Sequence, residues 1–267
     1  MKNWNSTEVV KASELHENYW YQGFFYTGFG QKENYRRDFE EIRFRDLALF
    51  TFDGIEGKKV LDIGCGNGLY SLTFLKMGAE LVAGQDLSQK YLDIGTETFK
   101  KNGYSNFVMK AGNCEFLQFE DNFFDSAFSG DVFEHITREQ KINFVNEIFR
   151  VLKPGGRFTI KTPNKSYLKM SNFFRRVLAV AKFKNPMNIH IAHTHNNPDN
   201  EHHGLTTHAE MLEIFRNTMF HEPEIVFQEL NKKAIPNFIR RLFKNNVYFN
   251  QQIIITVRKP IFYGIYK

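Results

Sequence analysis

Residues 58–78 read KKVLDIGCGNGLYSLTFLKMG: an apolar run, three glycines within five positions, then apolar residues at helical spacing. A strand entering a helix (Gly66–Met77) through so bare a turn leaves open backbone against which a ligand can lie. The same rhythm continues down the chain. ELVAGQD (80–86) reads as a strand, and Ser88–Asn102 as a helix capped by Ser88 and followed by Gly103. NFVMKAGN (106–113) and FFDSAFSGD (123–131) read as strands, and Arg138–Leu152 as a helix stopped by KPGG. GRFTIKTP (156–163) is a fifth strand, and EIVFQEL (224–230) and FNQQIIITVRK (249–259) are closing strands. This alternation predicts an α/β fold: a doubly wound, mostly parallel seven-stranded sheet, Rossmann-like, with helices on both faces.

The 267 residues suffice for one well-buried domain with additions, and 42% apolar residues exclude global disorder. Residues 1–53 are expected to form an N-terminal arm, rich in aromatics up to Gly30, and a helix, as part of the same domain. Residues 54–267 carry the main domain, and a stretch at about 164–205 breaks the rhythm as an inserted helical cap. A net charge of +5 permits acidic partners without demanding nucleic acid. The two cysteines, Cys65 and Cys114, lack the spacing of a zinc knuckle or disulfide framework, and a reducing cytosol is the simplest compartment. The first twenty residues carry no apolar core of a signal peptide, and no run of about 18 apolar residues suggests a membrane span.

The glycine spacing separates the candidate ligands. A dinucleotide fingerprint needs G-x-G-x-x-G, whereas here Gly64, Gly66 and Gly68 are followed by Leu69 where the third glycine is required. Asp86 ends the second strand, where a carboxylate can accept from both hydroxyls of a ribose. Asn113 ends the third, where an amide can face an adenine edge.

This set resembles the class I S-adenosylmethionine-dependent methyltransferases, from about Lys58 to Lys161 and more loosely through Phe220. VLDIGCGNG resembles their glycine motif, GQDLS their ribose-binding acidic motif, and LKPGGRF the turn before their fifth strand. GNCEFLQFEDNFFDSAFSGDVFEHI is similar to their adenine-binding segment followed by the fourth-strand motif. The resemblance implies S-adenosylmethionine as cofactor. It implies that Gly64, Gly66 and Gly68 line the methionine, with Asp62 near its amino group, and that Asp86, with Leu87 beside it, holds the ribose. Asn113 and Cys114 would flank the adenine, although that position is usually Asp in the family, and Asp131 would complete the cofactor set.

The segment after the fourth strand, SGDVFEHI, lacks the N/D-P-P-Y-like motif of nucleobase and amide N-methyltransferases. Its D-x-x-E-H pattern resembles most the small-molecule O-methyltransferases of ubiquinone biosynthesis. Asp131, Glu134 and His135 share a face if the segment begins a helical turn. Three readings stand open: Asp131 and Glu134 are structural, His135 is a general base, or the three hold a divalent cation. The metal-free route is favoured. Six of nine histidines fall between His190 and His208. Thr207 and Glu210 form a capping box that puts His208 at a helix start, a second candidate base.

YLKMSNFFRRVLAVAKFK (167–184) and IPNFIRRLFKNN (235–246) mix basic and apolar residues at helical spacing. Packing of their apolar faces on the core is favoured over rest on an anionic membrane surface. The expectation is therefore an S-adenosylmethionine-dependent enzyme that O-methylates a small molecule, lipophilic and quinone-like or saccharide, free or linked to lipid or nucleotide. The alternatives are N- or C-methylation and a non-catalytic cofactor-binding regulator. No nucleic-acid partner is expected, and the expected compartment is cytoplasmic, with peripheral membrane contact as the open alternative.

Overall fold

A computed structural model describes residues 54–189, 204–220, 223–228, 246–248 and 250–261. The expected N-terminal arm and helix (1–53), the five histidines between His190 and His203, and nearly all of the 235–246 stretch lie outside the described residues.

The elements run β1 Lys59–Ile63, α1 Leu69–Lys76, β2 Leu81–Asp86, α2 Gln89–Lys101, β3 Phe107–Ala111 and β4 Phe124–Gly130. They continue with a 3-10 turn Phe133–His135, α3 Arg138–Val151, β5 Leu152–Pro163, α4 Lys165–Ala181 and a 3-10 turn Pro186–Asn188. α5 His208–Arg216, β6 Glu224–Gln228 and β7 Gln252–Arg258 close the fold. The seven strands lie in the order β3-β2-β1-β4-β5-β7-β6. β1 pairs parallel with both β2 and β4, while β6 and β7 are antiparallel. The chain thus leaves β1 outward to β3 and restarts on its other side at β4. That reversal is the switch point where open α/β sheets bind ligands beyond the strands' carboxyl ends.

The chain divides into two compact units, one up to Ser129 plus Arg150–Arg157, the other Gly130–Phe149 plus Phe158 onward. In the first, Val60, Phe74, Leu75, Val82, Phe99 and Phe128 form the core. β1 and β2 read as continuous apolar runs because parallel strands are covered on both faces. In the second, Phe133, Phe144 and Phe158 make a chain of tilted and edge-on ring contacts, and Phe149 and Phe215 each pack on Phe220. Such offset pairs add to the area that the rings bury.

The boundaries shift for local reasons. α1 begins at Leu69, three residues later than expected, because Gly64, Gly66 and Gly68 all have φ between 53° and 75°. Left-handed backbone cannot belong to a right-handed helix. β5 begins at Leu152 and takes in the KPGG stretch, where Lys153 reaches Asp125 at 2.6 Å. Gly68 is fixed by packing: a Cβ there would collide with the Phe99 ring, and φ is 75°. Gly68→Ala should therefore lose about 3 kcal/mol of stability, from strain and overpacking combined. Urea unfolding checks this; a midpoint equal to wild type would show that Phe99 moves aside without cost.

α4 departs from the favoured reading of its apolar face. It buries Asn172 and Ala179, whereas Phe173, Phe174, Val177, Leu178 and Val180 are each about half or more exposed. No described helix is long and apolar enough to cross a membrane.

Candidate functional site

In the first unit the glycine turn is held from β2. The Gly66 N–H donates to Asp86 Oδ2 at 2.8 Å, and the Ser88 N–H to Asp86 Oδ1 at 2.9 Å. One buried carboxylate thereby shapes the turn and starts α2, whose N-cap Ser88 accepts from the Tyr91 N–H. A Cβ added at Gly66 would meet nothing within 4 Å, so its glycine is not explained by packing as Gly68's is. Open space above a left-handed turn of backbone amides suits a ligand.

Asp62, at the end of β1, is buried and accepts from Ser71 Oγ at 2.6 Å. Burial pushes its carboxyl up to about 7, against the Ser71 hydrogen bond, and the charge of Asp86 adds to the rise. A cationic group beside Asp62 would restore the carboxylate. Cys65 is buried, and burial drives its thiol well above the ordinary range, so it is an inert packing residue.

The loop after β3 is anchored by a residue the sequence did not single out. Gln85 Nε2 donates to the carbonyls of Asn113 (2.6 Å) and Phe116 (2.9 Å), and its Oε1 accepts from the Gln118 N–H. Asn113 Oδ1 accepts from the N–H groups of Glu115 and Phe116 at 3.1 and 3.0 Å. Its amide oxygen therefore caps the loop's own turn, and Nδ2 is the side-chain group left to address a base. Cys114 is half-buried, with its thiol pushed up to about 12, chiefly by burial. Leu87 is half-buried between Asp86 and Ser88.

In the second unit Asp131 follows β4 with φ 57°, a left-handed conformation at a non-glycine residue. Lys161 holds it twice: its Nζ lies 2.7 Å from Asp131 Oδ2, and its carbonyl accepts the Asp131 N–H at 2.9 Å. Glu134 is buried and accepts from Thr162 Oγ1 at 3.0 Å. Burial raises its carboxyl well above the usual range, and the nearby Asp131 charge adds to this. His135 is half-buried at the end of the 3-10 turn. Asp131 and Glu134 are neighbours, tied to the adjacent β5 residues Lys161 and Thr162, and His135 follows at the end of the turn. Among the described residues, no three His, Cys, Asp or Glu side chains form a group that could hold a metal ion.

Gly204 lies against that same turn. Its N–H donates to the Glu134 carbonyl at 2.7 Å, and its carbonyl accepts from Lys141 Nζ. A Cβ there would strike the carbonyls of Phe133, Glu134 and Ile136. Lys141 is buried, and burial lowers its ammonium to about 8. Three residues on, the capping box forms as read: Thr207 Oγ1 accepts from the Glu210 N–H, and Glu210 Oε2 from the Thr207 N–H. His208 is the first, half-buried residue of α5. Lys161, Thr162, Lys141 and Gly204 were not singled out from the sequence; only the lone glycine before the capping box could have drawn attention.

Comparison with known proteins gives these geometries a context. A family model described as a methyltransferase domain matches residues 55–229. The sterol 24-C-methyltransferase of Gibberella zeae is 32% identical over 151 residues, 56% of this chain and 38% of that protein. The ubiquinone biosynthesis O-methyltransferase of Agrobacterium fabrum is 35% identical over 112 residues, 42% of this chain and 43% of that protein. The chain thus spans about half the length, or less, of these curated relatives. The crystal structure of an S-adenosylmethionine-dependent methyltransferase from Methanosarcina mazei superposes with a TM-score of 0.56 at 20% identity, covering 78% of this chain and 94% of that one. With the family model spanning well over half its residues, the chain belongs to the class I S-adenosylmethionine-dependent methyltransferase domain family.

Proposed function

We propose that the protein transfers a methyl group from S-adenosylmethionine to a hydroxyl of a lipophilic, quinone-like small molecule. The observation that carries the cofactor half is the Asp86 carboxylate tied to the amide of Gly66, with open space at Gly66. The residues present fit the cofactor. Asp86 accepts from the ribose hydroxyls, and Asp62 receives the methionine ammonium. Asn113 donates through Nδ2 to a ring nitrogen of the adenine, with Leu87 and Cys114 beside it. When bound, the cofactor supplies a methyl group activated by a sulfonium centre.

The chain's own chemistry is to place the acceptor and remove its proton. His135 or His208 takes the hydroxyl proton, a role suited to imidazole near neutral pH. Lys161 orients Asp131 through their ion pair, so Asp131 positions rather than abstracts a proton. A divalent cation at Asp131 would have to displace Lys161 first. The ubiquinone O-methyltransferase relative supports oxygen as the acceptor atom. A second reading, C-methylation of a lipophilic acceptor, is supported by the sterol 24-C-methyltransferase relative, which matches more of the chain. Incubation of the protein with methyl-labelled cofactor and a phenol or quinol panel, read by mass spectrometry, separates the two. Label on oxygen supports the first reading and label on ring carbon the second. Cofactor hydrolysis with no labelled product would overturn both.

The buried Asp62 carboxyl gives a pH dependence with a fixed sign. Below about 7 it is protonated and must lose that proton to pair with an ammonium. Cofactor affinity should therefore rise from pH 6 to 8, with proton release at the acid end, measured by calorimetry in buffers of different ionisation enthalpy. Without cofactor, the folded-state value lies above the ordinary value near 3.8. Stability from this group is then complete below the ordinary value and is lost as pH rises through about 7, by at most about 4 kcal/mol. An affinity that is flat over this range would place the ammonium elsewhere.

A further inference from the structure

We propose that α4 and the turn after it form a docking face for an anionic phospholipid bilayer. This goes beyond the reaction above and does not depend on the acceptor. From Phe173 onward α4 is oriented opposite to an ordinary surface helix, whereas Tyr167 and Met170 earlier in the same arc are half-buried. At about 100° per residue, Phe173, Phe174, Val177, Leu178 and Val180 fall within one arc of about 160°. That arc faces outward: their exposures run from 49% to 60%. The stripe turned inward holds the buried Ala179 and Asn172, with the half-buried Leu168 one turn earlier. A helix packed for core stability would bury its phenylalanines and expose its asparagine.

Charge identifies the occupant. From Lys165 to Asn185 there are six basic residues and no acidic one. Lys169 and Arg176 flank the apolar arc on one side, and Arg175 and Lys182 on the other. All four are exposed. Lys165 lies 3.8 Å from Glu210, so its charge is partly answered within the protein. An apolar strip between two basic margins matches acyl chains between anionic headgroups, the arrangement of a helix lying in the plane of a membrane interface. The turn after the helix exposes apolar residues as well. Phe183 is fully exposed at φ 54° and Met187 is 70% exposed. The end of the turn is fastened to the helix by Arg176 Nε, which donates to the Ile189 carbonyl at 3.0 Å. The apolar residues past the helix end are thus held near it, as insertion into an interface requires.

Sedimentation of the full chain with sucrose-loaded vesicles tests this, with no cofactor or acceptor present, so failed binding says nothing about methyl transfer. Vesicles of phosphatidylcholine with about 30 mol% phosphatidylglycerol should carry the protein down at about 0.05 M NaCl. Pure phosphatidylcholine should bind it weakly, and about 0.5 M NaCl should weaken the anionic binding. Phe174→Glu with Leu178→Glu should reduce binding about a hundredfold. Arg175→Gln with Lys182→Gln should reduce it about 25-fold on anionic vesicles, at about fivefold per charge. These side chains are exposed, so circular dichroism should be unchanged; if the first pair misfolds, the second decides. No sedimentation, or equal sedimentation of the charge variant, would overturn the proposal. So would a wild-type dimer that the Phe174, Leu178 variant makes monomeric without any vesicle binding, since a second copy would then own the face.

Discussion

Asp86→Ala should lower affinity for S-adenosylmethionine at least about a hundredfold, because one carboxylate serves two purposes. It accepts from the amides of Gly66 and Ser88, and so holds the glycine turn open and starts α2. It also offers the ribose hydroxyls their acceptor. Hydrogen bonds to a charged group contribute about 1.5–3 kcal/mol each, and the loss of two ribose contacts alone reaches the stated factor. Asp86→Asn keeps one acceptor oxygen but sets its amide NH2 against the N–H of Gly66 or Ser88, so it should recover only part of the affinity lost in the alanine variant. Calorimetry reads both variants. Wild-type affinity in the alanine variant would remove Asp86 from the ribose and leave it a purely structural residue of the turn.

Replacement of the base should have the second large effect. His135→Gln or His208→Gln, whichever ring takes the proton, should reduce turnover about 10²–10⁴-fold with cofactor affinity unchanged. The other change should be nearly silent. Wild-type turnover should rise with pH through one ionisation, and a chelator should leave it unaltered. Loss of activity in EDTA, restored by Mg²⁺ or Mn²⁺, would transfer the role to a cation at Asp131, Glu134 and His135. If neither histidine change nor chelator matters, activation comes from proximity alone, which favours an amine or carbon acceptor.

The parts of this site that were legible in the sequence are those set by neighbours along the chain. The strand, glycine turn and helix, the Ser88 cap and the Thr207–Glu210 box each lie within a few residues and emerge as read. Contacts between distant residues were not legible. Lys161 reaches Asp131 across thirty positions, and Gln85 anchors the loop around Asn113 from another strand. The need for Gly95 in α2 is explained only by the Asn67 carbonyl against which it packs. Periodicity identified α4 as amphipathic but could not say which face turns inward, since packing partners decide that. Gly64, Gly66 and Gly68 were legible as a motif, while the division of labour was not: Phe99 requires Gly68, and open space is what Gly66 provides.

The most direct test is a crystal structure of the protein with S-adenosylhomocysteine, the product left after methyl transfer. The expected result places the ribose hydroxyls on Asp86, the amino group beside Asp62 and the methionine chain against the open side of Gly66. A nucleoside bound away from the 64–68 turn, or a ribose that makes no contact with Asp86, would contradict it.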